Sequence, residues 1–201
     1  MNAIILVDIQ NDFLPTGNLP VPQGDEIIDV VNPLLSKFEH VIATQDWHPA
    51  NHGSFASQHD GKDAFTVIDL NGLDQVLWPD HCVQDSKGAN FAPGLHTEQI
   101  QKVVQKGTDP SVDSYSGFAD NGGRIQTELD DYLRAKSIDT VYVCGLALDY
   151  CVQFTAHDAL KRGYTTYVIT DACRGIDPAG VQQALQSLEE AGAVLVSSTE
   201  L

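Results

Sequence analysis

Three reactive residues in this chain fall where apolar runs give way to loops. Cys151 follows the run Thr140–Cys144 and the loop Gly145-Leu146-Ala147-Leu148, and it opens a helical pattern with Val152, Ala156, Ala159 and Leu160 on one face. Amides in the first turn of a helix are free and carry partial positive charge. A thiol placed there is expected to have its pKa lowered toward the thiolate, which is the nucleophile. Asp8 closes the apolar run Ala3–Asp8, and Lys106 closes Lys102–Gln105. A carboxylate beside the thiol takes its proton, and an ammonium holds the resulting negative charge, which is the equipment for covalent catalysis. Taken singly, each residue has a plainer use: a buried small side chain, a strand-end cap, a solvated lysine.

A second group lies in the His- and Asp-rich stretch that follows. Asp46-Trp47-His48 is joined by His52, His59 and His81. Asp46 and His48 are two apart in extended chain and point the same way. His81, in Trp78-Pro79-Asp80-His81-Cys82, offers the third donor of an Asp/His/His set. Three protein ligands with open positions describe a catalytic metal more than a structural one. Imidazole and carboxylate suit zinc, iron and manganese alike, so the donor set does not choose among them. Phe13, Trp47, Trp78 and Tyr115 lie close to these groups in sequence, and a flat apolar ligand would stack on some of them.

These residues need a scaffold that brings distant segments together. Ala3–Asp8 is a continuous apolar run of the kind buried on both faces of a parallel sheet. Val41–Thr44, Lys102–Gln105, Thr140–Cys144, Tyr164–Thr170 and Ala193–Val196 read as further strands. Helices are predicted from Asp25 through Phe38 with Pro33 disturbing the middle, as a short turn over Thr97–Gln101, and over Gly123–Lys136 with Ile125, Leu129, Tyr132 and Leu133 inward. Another is predicted to open at Asp177-Pro178. Strands alternating with helices imply right-handed crossovers and a parallel sheet of about six strands covered on both faces. Ligands bind such sheets beyond the carboxyl ends of the strands, where Asp8, Lys106 and Cys151 all lie. Residues 45–93 form a long irregular stretch, which in a compact domain signals function or an unrecognised element.

Composition narrows the function classes. The 201 residues carry 28 acidic and 11 basic side chains, a net charge of −17, which argues against a nucleic-acid surface or an anionic membrane. Hydrophobic content of 42% with 19% charged residues fits one large globular domain, 1–201, and no repeat or linker divides it. There is no basic leader and no apolar run long enough to span a bilayer, so the expectation is a cytoplasmic protein. Cys82, Cys144, Cys151 and Cys173 then read as reduced thiols.

The motifs also carry a family resemblance. Asp8-Ile9-Gln10-Asn11-Asp12-Phe13, Asp46-Trp47-His48-Pro49 with His52 and Ser54-Phe55, Trp78-Pro79-Asp80-His81-Cys82-Val83, Lys106-Gly107, Tyr115-Ser116-Gly117-Phe118 and Asp149-Tyr150-Cys151-Val152 appear in order. Over nearly its whole length the chain resembles the nicotinamidase/pyrazinamidase group of the isochorismatase-like (cysteine hydrolase) superfamily. The resemblance implies a single-domain, Rossmann-like three-layer α/β/α fold with a six-stranded parallel sheet, in which 45–93 is a metal-binding and substrate-loop insertion. It implies catalytic roles for Asp8, Lys106 and Cys151, and one divalent metal on Asp46, His48 and His81, with zinc foremost and iron or manganese as alternatives. His52 occupies a position that ligates in some members and not in others. The resemblance further implies a cis peptide at Leu146–Ala147, an oxyanion hole from the Ala147 and Cys151 amides, a pyridine ring held between Phe13 and Trp78, and Tyr115 at the pocket wall. The implied reaction converts nicotinamide to nicotinate and ammonia, and pyrazinamide to pyrazinoate, through a cysteine thioester, within salvage of NAD. The implied partner is a small-molecule substrate, with no nucleic acid or membrane, for a monomer or homo-oligomer. A rival is another amidohydrolase of the superfamily, of the carbamoylsarcosine or ureidoacrylate type, which shares the triad but not the metal segment. A catalytically idle metal- or nucleotide-binding module is disfavoured by the intact Asp/Lys/Cys set and by the lack of GxGxxG after the first strand.

Overall fold

The apolar run at the start of the chain forms strand β1, Asn2–Val7, and Ala3 to Val7 are buried on both faces. Asp8 is the first residue beyond it. The computed structural model describes residues 1–201. A 3-10 turn, Gly24–Glu26, leads into α1, Ile27–Leu35. This helix is shorter than expected: no side chain caps its start, and Asp25 belongs to the preceding turn. Pro33 is accommodated inside it. Strand β2, His40–Asp46, is buried along its length and reaches Asp46, two residues beyond the predicted end.

The long stretch contains an unpredicted hairpin, β3 (Val67–Leu70) and β4 (Leu73–Val76), turning at Asn71 and Gly72. Both turn residues have positive φ, 55° and 85°, as a two-residue hairpin loop of the primed kind requires. Strand β5 spans Lys102–Lys106 after a 3-10 turn at Thr97–Gln99. Helix α2 is only Leu129–Ala135. The expected helix start at Gly123 is instead a loop: Asp120 accepts the Gly122, Arg124 and Ile125 N–H groups, and Ile125 lies half exposed. Strand β6 (Thr140–Leu146), helix α3 (Gln153–Lys161), strand β7 (Thr165–Arg174), helix α4 (Pro178–Glu190) and strand β8 (Val194–Val196) complete the chain. Asp177 caps α4 through Gly180 N–H with proline at the first turn, as expected.

The main sheet has six parallel strands in the order β5-β2-β1-β6-β7-β8. The chain builds outward from β1 to β5, then crosses back to β6 and builds the other half. The order therefore reverses between β1 and β6, and a crevice opens there beyond the strand ends. One continuous core runs through the sheet and its helices. Each of its fully buried Ile, Leu and Val side chains contributes about 1.5–3 kcal/mol by removal from water. No helix is long and apolar enough to cross a membrane.

Candidate active site

The reversal point places Asp8 after β1 and the Cys151 turn after β6, side by side. Asp46 and Lys106 end β2 and β5, and they are paired in the sheet register. Asp8 has φ of 48°, a left-handed conformation uncommon outside glycine. Thr44 holds it there, donating to Asp8 Oδ1 at 2.6 Å and accepting the Asp8 N–H at 3.2 Å. The Lys106 side chain is fully buried, and Nζ lies 2.9 Å from Asp8 Oδ2, 2.5 Å from Asp46 Oδ1, 2.8 Å from Ser114 O and 3.4 Å from Cys151 Sγ. The three residues expected at strand ends thus meet at one point, with Asp8 and Cys151 sharing the Lys106 ammonium.

Charge is distributed unevenly among them. Burial works against the Lys106 ammonium, but Asp46 and Asp8 outweigh it and hold the pKa well above the ordinary lysine value. Burial raises the Asp8 carboxyl to about 6, with Lys106 opposing and the Asp46 charge adding to the rise. Asp46 goes the other way: burial is outweighed by Lys106 and His48, and it stays ionised well below the usual carboxylate range. Asp8 Oδ2 faces Lys106 Nζ at 2.9 Å, and a carboxylate oxygen of Asp8 lies within 4.8 Å of Cys151 Sγ, where it can accept the thiol proton.

Cys151 departs from expectation. It lies in a π-helical turn, Leu148–Val152, rather than in the first turn of an α-helix, and its side chain is buried. Burial pushes the thiol well above its ordinary value; Lys106 pulls it down, and the Asp8 and Asp46 charges push it up. The helix-terminus field expected to favour the thiolate is overridden by desolvation. The resting group is a thiol that needs a base beside it. The Leu146–Ala147 peptide is cis, as expected, and Ala147 lines the cavity next to Cys151.

Asp46, His48 and His81 converge. Their donor atoms lie within 4.8 Å of one another, and all three residues are buried. His48 Nδ1 is 2.9 Å from Gly107 O, and His81 Nδ1 is 2.8 Å from Pro79 O. A carbonyl only accepts, so each ring carries its proton on Nδ1. The bare Nε2 atoms then face Asp46 Oδ2 at 3.5 and 3.8 Å. Two lone pairs aimed at a carboxylate repel unless a cation sits among them, so the donor set fits a divalent metal. Burial is the main cause that lowers His81 to about 4, keeping that imidazole neutral. Gly107, at φ of 66°, packs so tightly that a Cβ there would lie 2.4 Å from His48 Cε1.

His52 stands apart. Its Nδ1 accepts the Ser54 N–H at 3.2 Å and lies 2.7 Å from Ser54 Oγ. Its Nε2 is buried and has no hydrogen-bond partner. His59 Nε2 is bound to Gly53 O at 2.7 Å, outside the cluster.

A cavity opens above these groups. Cys151, Asp46 and His81 lie at its base, and Phe13, Trp78 and Tyr115 at its wall, as expected. Trp47 does not line it; that ring packs against the core. Tyr150, Ile176, Leu19 and Asp113 also line the cavity and were not singled out from sequence. Adjacency to Cys151 was a signal for Tyr150. Ile176 arrives from the end of β7, and no local pattern marks it. Trp78 donates from Nε1 to the Tyr115 hydroxyl at 3.2 Å and meets Tyr150 edge-on at 4.9 Å between centroids. The result is an aromatic-walled slot.

Comparison with known proteins agrees with this architecture. A family model described as the isochorismatase domain matches residues 2–200. A nicotinamidase of Escherichia coli strain K12 is 54% identical over 199 residues, covering 96% of this chain and 93% of that protein. A solved structure titled as an Acinetobacter baumanii nicotinamidase and pyrazinamidase superposes with a TM-score of 0.96 at 46% identity, over 99% of this chain and 97% of the other. A Pyrococcus horikoshii pyrazinamidase solved in complex with zinc superposes with a TM-score of 0.81 at 40% identity, over 98% of each chain. Matched from end to end in sequence and in backbone, this chain belongs to the isochorismatase family.

Proposed function

We propose that the chain is a nicotinamidase, a metal-dependent amidohydrolase that converts nicotinamide to nicotinate and ammonia and also accepts pyrazinamide. The observation that carries this reading is the four-way contact of Lys106 Nζ with Asp8, Cys151, Asp46 and Ser114, which fuses a nucleophile, a base and a metal corner beneath one aromatic slot. Segment 45–93 supplies all three metal ligands and Trp78 of the slot, and serves as the metal- and substrate-binding insertion of a single domain.

Asp46, His48 and His81 would hold one divalent ion, zinc by the likeness to the zinc-bound relative, with iron and manganese served by the same donors. When bound, the ion supplies a Lewis-acid seat for a ring nitrogen. Phe13 and Trp78 hold the pyridine ring between them, and Tyr115 closes the wall. Asp8 Oδ2 takes the Cys151 proton as sulfur attacks the carboxamide carbon, while Lys106 balances the carboxylate and sulfur charges. The Ala147 and Cys151 amides receive the oxyanion, at roughly 3 kcal/mol per donor in comparable sites. Asp8 returns the proton to the departing nitrogen, which leaves as ammonia and a Cys151 thioester. Asp8 then takes a proton from water as the hydroxyl adds to the thioester, and returns it to the Cys151 sulfur as the C–S bond breaks; the released acid ionises to nicotinate. Four free, buried cysteines support a reducing, cytoplasmic setting.

The test is ammonia release from nicotinamide by metal-loaded protein, measured beside a ureido and a carbamoyl substrate. Turnover of the latter pair without nicotinamide would overturn the assignment in favour of the metal-independent amidohydrolases.

A further inference from the structure

We propose that Gln10 and Asp12 are positioning residues for the metal corner, holding the main chain beneath Asp46 and His81. The inference rests on the Asp46/His48/His81 reading above. Strand β1 pairs with β2 only as far as Leu6 and Ala43, so Asp46 lies three residues past the end of that ladder. On that side its main-chain groups have no strand to bond. The fully buried Gln10 amide replaces the strand: Oε1 accepts the Asp46 N–H at 2.8 Å, and Nε2 donates to Asp46 O at 2.8 Å and to Ala89 O at 2.9 Å. One side chain thus clamps both ends of the ligand's peptide frame.

Asp12 does the same for His81. Its Oδ2 accepts the N–H of Cys82, the residue after His81, at 2.7 Å, and its Oδ1 accepts the Asn18 N–H at 3.2 Å. Cys82 sits at φ of 46°, a conformation that needs holding. The carboxylate is admitted only because residue 88 is glycine: a Cβ there would lie 2.0 Å from Asp12 Oδ2. The His81 ring itself is steadied by a bond to Pro79 O within the same loop, and Asp12 ties that loop to the segment after β1, beside the Asn18 side-chain amide that donates to Asp80 O at 3.0 Å. The segment 8–13 therefore carries a base, two main-chain clamps and a ring contact, and it sets the separation of Asp46 from His81.

The test measures zinc dissociation constants by competition with a chromophoric chelator, with melting temperatures of the metal-free proteins, for the whole chain and for Gln10→Ala, Asp12→Asn and Gln45→Ala. Gln45 donates to Ala89 O at 2.9 Å, as Gln10 does, without binding the main chain of Asp46, and serves as the matched control. Gln10→Ala and Asp12→Asn are expected to weaken zinc about 10- to 100-fold beyond any change in metal-free melting, and Gln45→Ala to leave it unchanged. The near-isosteric Asp12→Asn carries the test if Gln10→Ala fails to fold. Unaltered zinc affinity in both clamp variants, or an equal loss in Gln45→Ala, overturns the proposal. An unsubstituted protein that takes up no zinc, iron or manganese overturns the metal reading instead.

Discussion

Lys106 and Asp46 are joined by a 2.5 Å contact between Nζ and Oδ1, while Asp46 Oδ2 turns to the two histidines. One carboxylate therefore serves both the covalent machinery and the metal corner. Replacing Lys106 with Met leaves Asp8 and Asp46 as buried, unpaired acids. Breaking such a pair costs about 3–5 kcal/mol, so Lys106→Met is expected to unfold at lower denaturant concentration. Asp46 keeps its second oxygen, so metal content is expected to survive while ammonia release disappears. Denaturation curves, metal analysis and the ammonia assay on one preparation check all three.

Cys151→Ala removes the atom that forms the thioester and leaves the slot wall standing. Nicotinamide binding, read by calorimetry, is expected to persist. Turnover is expected to fall by about 10⁴-fold or more, as when a nucleophile is deleted elsewhere. Robust ammonia release by this variant would end the covalent scheme.

The pH profile follows from Asp8, which burial raises to about 6. As a base it works only when ionised. Below its pKa it is protonated and cannot accept the thiol proton, so kcat/KM is expected to fall as pH drops through about 6 and to level off above it. Metal content measured at the same pH values separates this limb from acid-driven loss of the ion. An acid limb that persists in an active Asp8→Asn protein would reassign the titration.

Stripping the metal is expected to raise KM far more than it lowers kcat, because the ion's contribution is to seat the ring while Asp8, Lys106 and Cys151 remain in contact without it. Kinetics on chelator-treated protein, with the metal content verified and then restored, would show it. Equal KM with and without metal is the contrary result.

The groupings of Asp8, Lys106 and Cys151 and of Asp46, His48 and His81 were legible because such residue types stand out at the ends of apolar runs and in one His-rich loop, and a parallel sheet brings its strand ends together. The hairpin at Val67–Val76 was missed although Asn71-Gly72 is a strong turn signal, because the polar composition around it masked the alternation. The helix predicted from Gly123 failed for a physical reason. The Asp120 side chain satisfies amides that helical bonding would otherwise claim, and no periodicity reveals that competition. The thiol's acidity was misjudged because helix position is visible in sequence, whereas depth of burial is a property of the assembled fold.

Gly107 takes no part in the chemistry, yet any side chain there must displace the His48 ring. In a saturation library it should tolerate replacement as poorly as a ligand does. A screen that ranks positions by intolerance would then count it among the reactive groups, when what it contributes is an absent side chain and one carbonyl for the His48 ring.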